Sequence, residues 1–154
     1  MKLKLVIGPD RVLSTKSDDI DLSDMANTRV RLDTMINIMN TENGIGLAAP
    51  QVGINKRMFV MKVDALDDVP PLCVINPIIE EVSDTKNQFQ EGCLSFPGKF
   101  IVIERPSKIY VKFIDYHGNE RKMELDGINS TCFQHEFDHV NGITILDHVQ
   151  AYSS

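Results

Sequence analysis

Apolar residues recur at Leu32, Met35, Ile36 and Met39, three or four positions apart in a polar stretch. That spacing puts them on one face and predicts an amphipathic helix over residues 24–40, with Ser23 as its N-cap. Residues 1–22 show no such period and read as extended and loop-like. Asn43 to Gly46 breaks the helix. Beyond it the pattern shortens to strand-like runs at 58–63, 72–76, 79–82 and 89–91, with Pro70 and Pro71 as a turn between the first two. Runs at 101–103 and 109–114 alternate, the Tyr116-His117-Gly118-Asn119 tetrapeptide supplies a turn, and 121–125 returns as the partner strand. Asp126 is placed to cap a final helix ending near Asn141, with Gly142 as its stop. One long helix, several antiparallel strands and a terminal helix make an α+β domain.

The length of 154 residues suits one domain spanning 1–154, and 42% hydrophobic residues supply one core. The formal net charge of -6 disfavours a nucleic-acid surface, so no direct nucleic-acid binding is expected. Gly8, Pro9 and Asp10 interrupt the apolar start at once, which does not fit a signal peptide. No apolar run approaches a membrane span, and no membrane role is expected. The 3 cysteines, Cys73, Cys93 and Cys132, are odd in number and scattered, unlike a disulfide framework. A reducing cytoplasm is the expected location, and there a thiol is free to serve as a metal ligand.

The sharpest chemical signal is His135-Glu136-Phe137-Asp138-His139, an HExxH pattern. Residues four apart share a helix face, so both imidazoles can reach one cation. Glu136 lies one position on, close enough to touch a water at that cation and act as general base. A catalytic site of this kind needs a third protein ligand. The metzincin extension fails, because Ile145 stands where its third His is required, and no Glu follows Glu136 as a thermolysin-like site would need. Asp147 and His148 remain as downstream candidates. Upstream, Cys93 in Glu91-Gly92-Cys93-Leu94-Ser95 is the best candidate, since the adjacent glycine permits close backbone approach. Cys73 reads as strand packing, and Cys132 as core beside the site.

A second unusual stretch is Gly44-Ile45-Gly46-Leu47-Ala48-Ala49-Pro50-Gln51. Its glycines remove side-chain bulk, so an extended peptide could pair with this backbone by strand addition. Gln51 could offer an amide donor where an oxyanion develops. The stretch is not a phosphate loop, since it lacks both the lysine and the glycine spacing.

Taken in order, GIGLAAPQ, EGCLS and QHEFDH resemble the three signature motifs of peptide deformylases. The likeness begins near Gly8-Pro9-Asp10-Arg11-Val12-Leu13 and runs to Asn141-Gly142. It implies a deformylase-like α+β fold, with antiparallel strands packed around a C-terminal metal-binding helix and one long N-terminal helix. It implies a metallohydrolase that removes the N-formyl group from the formylmethionine of newly made proteins, releasing formate. By the same likeness Cys93, His135 and His139 are metal ligands and Glu136 is the general acid/base. Gln51 and the backbone amide of Leu94 become oxyanion donors, and the backbone of Ile45 and Gly46 becomes the peptide-pairing edge. The walls of the methionine pocket are expected from Ile45, Phe89, Ile128, Thr131 and Cys132. The family works typically with one Fe(II), with nickel, cobalt or zinc as substitutes, and a Cys-His-His set by itself also suits zinc. Arg105 is expected to pair with Glu91, Asp138 or both.

The chain departs from the family pattern at three places. Phe100 stands where many bacterial members carry Arg, and Thr131 where a larger aliphatic residue is common. Few residues follow Gly142, so the C-terminal helix with which bacterial members dock on the ribosome is expected to be missing, and docking of that kind with it. Compact forms occur among phage-encoded members, which fits a protein acting in a bacterial host cytoplasm. Two other readings stay open: a metallopeptidase that cleaves internal peptide bonds, and a structural domain whose metal site is closed by four protein ligands.

Overall fold

A computed structural model describes residues 2–153 and shows an α+β arrangement of two antiparallel sheets and three helices. Helix α1 spans Met25–Thr41 and strand β1 Gly46–Ala48. Strands β2 (Met58–Met61), β3 (Leu72–Val82), β4 (Lys86–Cys93), β5 (Phe96–Pro106), β6 (Lys108–Ile114) and β7 (Glu120–Asp126) follow. Helix α2 spans Gly127–Val140 and helix α3 Ile145–Ser153. The larger sheet runs β1-β2-β3-β6-β7, and β4 and β5 form a separate hairpin.

Helix α1 buries Leu32, Met35 and Met39 against β1 and β2, as the apolar spacing predicts. Its start differs from expectation. Ser23 is not the cap; it lies in a 3-10 turn, where its N–H donates to Asp21. Asp24 precedes the helix without a side-chain capping bond. Asp126 likewise begins α2 without one.

The runs expected as two strands at 72–76 and 79–82 are one strand, β3, with a register shift between Ile75 and Ile78. Asn76 sits there at φ 51, and its side-chain amide clasps both the N–H and the carbonyl of Ile20 at 2.7 and 3.0 Å. Pro77 lacks a ladder donor and is tolerated at such an irregularity. Bulge and proline together look like a break in sequence and are a bend in structure.

Helix α2 is enclosed on most sides, which its mixed sequence does not announce. Ser130, Thr131, Cys132, Phe133, Gln134, Glu136, His139 and Val140 are all buried. Phe133 anchors it, edge-on to Phe59 of β2 with ring centroids 5.0 Å apart. Removing such a ring costs about 3–5 kcal/mol. The helix packs against both sheets, so strands β1 and β5 meet at the face that carries its polar residues. Gly142, at φ 75, ends it.

The expected absence of a helix beyond Gly142 is overturned by α3. The Thr144 N–H is bonded to Asp147 at 2.8 Å, half of a capping box. Ile145 is buried against Leu13, Phe96 and Ile103.

Candidate active site

HExxH lies on α2, and its two imidazoles meet the thiol that β4 delivers at its end. One ligand-type atom from each of Cys93, His135 and His139 lies within 4.8 Å of the others. Cys93 Sγ is 3.3 Å from His139 Nε2. Asp147 and His148, the downstream alternatives, face elsewhere: Asp147 caps α3 and His148 bonds Asp138. Cys73 is buried in packing, and burial pushes its thiol up to about 11. Cys132 is 5% exposed, three residues before His135 on α2, and burial pushes its thiol well up.

The chemistry of this donor set suits a divalent cation. A thiolate and two imidazoles form a three-ligand set that leaves a coordination position open. A buried carboxylate beside it is left without a partner: Glu136 Oε1 bonds to nothing among the described residues. Burial raises the Glu136 carboxyl to about 7. Burial opposes charge on both rings, yet the two separate. Glu136, Cys93 and Glu91 raise His135 to about 10, whereas burial and the neighbouring His135 lower His139 to about 3.

Strand β4 also supplies Glu91, on the same side of the strand as Cys93. Its Oε1 is 2.9 Å from His135 Nδ1 and fixes that ring. Arg105 of β5 grips Glu91 with two bonds, Nε to Oε2 at 2.6 Å and Nη2 to Oε1 at 2.9 Å. A third bond runs from Arg105 Nη1 to Asp138 of α2 at 2.9 Å. The expected Arg105 pairing is therefore present with both carboxylates. Burial opposes ionisation of Glu91 and Asp138, but these partners hold both below the ordinary carboxylate range.

Gln51 is 1% exposed and held in one orientation. Its Oε1 accepts from the Ala48 N–H at 2.9 Å, so Nε2 points at Cys93 Sγ, 3.4 Å away, and Ser95 Oγ, 3.3 Å away. The N-terminal segment ties this corner down, with the Val6 N–H donating to the Gln51 carbonyl and the Gly8 N–H to that of Ser95.

Strand β1 is the edge of its sheet. The Lys62 N–H donates to the Ile45 carbonyl at 2.8 Å, so that carbonyl is already taken. Antiparallel pairs alternate, so Gly46, opposite Met61, turns its N–H and carbonyl to the free edge. A Cβ at Gly46 would lie 2.5 Å from Glu136 Oε2 and 3.1 Å from Cys132 Sγ. Only glycine lets this edge pass so close to α2. A cavity of about 600 Å³ opens beside it, with Ile45, Gly46, Phe89, Ile128, Thr131 and Cys132 all in its lining. Gln51, Cys93, Leu94, His135 and Glu136 line its inner end, and Phe100 its mouth.

The contact of Glu91 with His135, and the place of Ser95 beside Gln51, were not foreseen from sequence. Glu91 stands two positions before Cys93 in β4, and Ser95 two positions after it in the turn that leads to β5. No local pattern in the sequence pointed either residue at its partner.

Three comparisons bear on this arrangement. The family model of the polypeptide deformylases matches residues 2–154. A peptide deformylase from Prochlorococcus marinus (strain MIT 9312) is 49% identical over 75% of this chain, and the chain spans 58% of that relative's length. Among solved structures, the peptide deformylase from Thermotoga maritima superposes with TM-score 0.89 at 40% identity, covering 96% of this chain and 97% of that one. A probable peptide deformylase from synechococcus phage S-SSM7 gives TM-score 0.89 at 38% identity, covering 95% and 99%.

Proposed function

The chain belongs to the polypeptide deformylase family, and on that premise we propose that it hydrolyses the N-formyl group of formylmethionyl peptides of nascent chains. The observation that carries the reading is the meeting of Cys93, His135 and His139 within 4.8 Å, beside an unpartnered Glu136 oxygen and a glycine edge open to a peptide.

Cys93, His135 and His139 would hold one divalent cation, Fe(II) by the habit of the family, with zinc, nickel or cobalt as substitutes. Such a cation supplies Lewis acidity, making a nearby water acidic near neutral pH and polarising the formyl carbonyl. Glu136 takes the proton of the attacking water and later passes it to the leaving amine. Water oxygen bonds to the formyl carbon, the carbon–nitrogen bond breaks, and formate and a free N-terminal amine leave. Gln51 Nε2, already oriented by Ala48, and the Leu94 N–H donate to the oxyanion as it forms.

The substrate backbone adds a strand at Gly46. Ile45 contributes its side chain to the cavity wall rather than its carbonyl to the peptide. The methionine side chain enters among Phe89, Ile128, Thr131 and Cys132. Among the described residues no helix is long and apolar enough to cross a membrane. The substrate and the free thiols fit action in the cytoplasm, as one domain spanning 1–154.

Turnover of formyl-Met-Ala-Ser by anaerobically purified protein, followed by formate release, tests the reading. Formate should appear, acetyl-Met-Ala-Ser should be left intact, and the freed tripeptide should persist. Cleavage of an internal peptide bond, or no formate at all, would reject it in favour of another metallopeptidase or a closed structural site.

A further inference from the structure

The buried chain of charge that starts at His135 does not stop at Arg105. Asp138 Oδ2 accepts from Arg105 Nη1 at 2.9 Å and also from His148 Nε2 of α3 at 2.9 Å. The exposure of these side chains grades outward, from 5% for Arg105 and 6% for Glu91 to 20% for Asp138 and 27% for His148. One guanidinium thus serves two carboxylates, and both compete for it. We propose that His148 is a positioning residue for His135, acting through Asp138, Arg105 and Glu91.

Asp138 and Glu91 share one donor, Arg105. With His148 bonded to Asp138, the negative charge there is met from two sides, and Arg105 can keep its two-pronged grip on Glu91. Glu91 then keeps the one orientation in which its Oε1 also takes the His135 Nδ1–H. Without His148, Asp138 has Arg105 as its sole side-chain partner among the described residues and draws the guanidinium toward α2. The fork on Glu91 loosens, and with it the hold on the His135 ring. Partners of this kind behind a ligand typically change metal affinity by about 10–100-fold. The His148–Asp138 bond ties helix α3 to α2, and α3 also packs on the β4–β5 hairpin, which carries Glu91 and Arg105.

The inference rests on the metal-site reading of Cys93, His135 and His139, but its readout does not need turnover. The full chain would be loaded with Co(II), and native protein compared with H148A, H148L and H148Q. Two quantities are read: the Co(II) dissociation constant by chelator competition, and the thiolate–cobalt absorption bands. Kinetic constants on formyl-Met-Ala-Ser are measured alongside. H148A and H148L should bind Co(II) about tenfold more weakly, with kcat reduced severalfold and KM unchanged. H148Q, which keeps a side-chain donor, should recover most of the affinity.

Native affinity in H148A and H148L would overturn the proposal, and so would an H148Q as impaired as they are. If H148A does not fold, H148L against H148Q carries the same comparison. Should native protein bind Co(II) yet release no formate, the deformylase reading falls, while the difference between these affinities still decides the role of His148.

Discussion

Behind the three donor atoms the side chains of Arg105 and Glu91 are 5% and 6% exposed, whereas at the mouth of the same cavity Phe100 and Ile45 are 64% and 43% exposed. The inner end is backed by charge, with Glu91, Arg105 and Asp138 each held by two other side chains. The mouth is built from apolar side chains with few polar partners. Buried ion pairs are poor devices for stability, because desolvation offsets most of their attraction. They are good devices for fixing direction, because a guanidinium fork accepts a carboxylate in few orientations. The exposed apolar mouth is the opposite arrangement, and it gains from burial only when a peptide covers it. On the proposed function, one end is arranged before substrate arrives, and the other would be completed by it.

Breaking the inner end should have the largest effect. R105M removes the cation that Glu91 and Asp138 share and leaves each with one histidine, and breaking such a pair costs up to about 3–5 kcal/mol. Urea denaturation should show it at neutral pH. Glu91 and Asp138 are held below the ordinary carboxylate range in the native protein. Their contribution is therefore full above that range and lost as pH falls through the depressed values. The gap between R105M and native protein should narrow in acid, and a gap independent of pH would contradict this.

Glu136→Gln should lower kcat by about 10²–10⁴-fold, the usual worth of a positioned general base, with metal content retained. Burial holds the Glu136 carboxyl near 7, and a cation beside it draws that value down. On the proposed function the ionised form is the working base, so kcat/KM of the native protein should rise with pH along an acid limb centred at or below about 7. E136Q should lack that limb. A variant that retains both rate and limb would remove Glu136 from the mechanism.

At the mouth the effect should be small and selective. Phe100→Arg removes an exposed ring of β5 and adds a charge. KM for formyl peptides with apolar residues after methionine should rise about fivefold, the order of 1 kcal/mol expected for partial loss of one apolar contact. Peptides with acidic residues there should gain, and kcat should hold. A change in kcat with KM constant would show that the mouth is not separate from the inner end.

Sequence revealed the two ends unequally. HExxH and the Gly44–Gln51 stretch are local patterns, so the helix face and the glycine edge could be read from spacing alone. Cys93 could be picked out by its glycine neighbour. The grip of Arg105 on Glu91 and Asp138 was expected and is found. The bond from Glu91 to His135 joins residues 44 apart in the chain, and no local pattern carries it. Helix α3 was missed although its signal was present, for Thr144 and Asp147 stand three apart before an apolar run, as a capping box does. Strand β3 was read as two because a positive-φ asparagine and a proline inside a strand look like a turn. The caps failed for another reason. Ser23 and Asp126 suit the role by type, but which group meets the first N–H depends on how the preceding chain arrives.

The account depends most on what surrounds the cation. X-ray absorption at the metal edge of the anaerobically purified protein measures this directly. One sulfur and two imidazole nitrogens in the first shell, with the sulfur lost in C93A, is the predicted result. A shell of nitrogen and oxygen alone, or one unchanged in C93A, would contradict it.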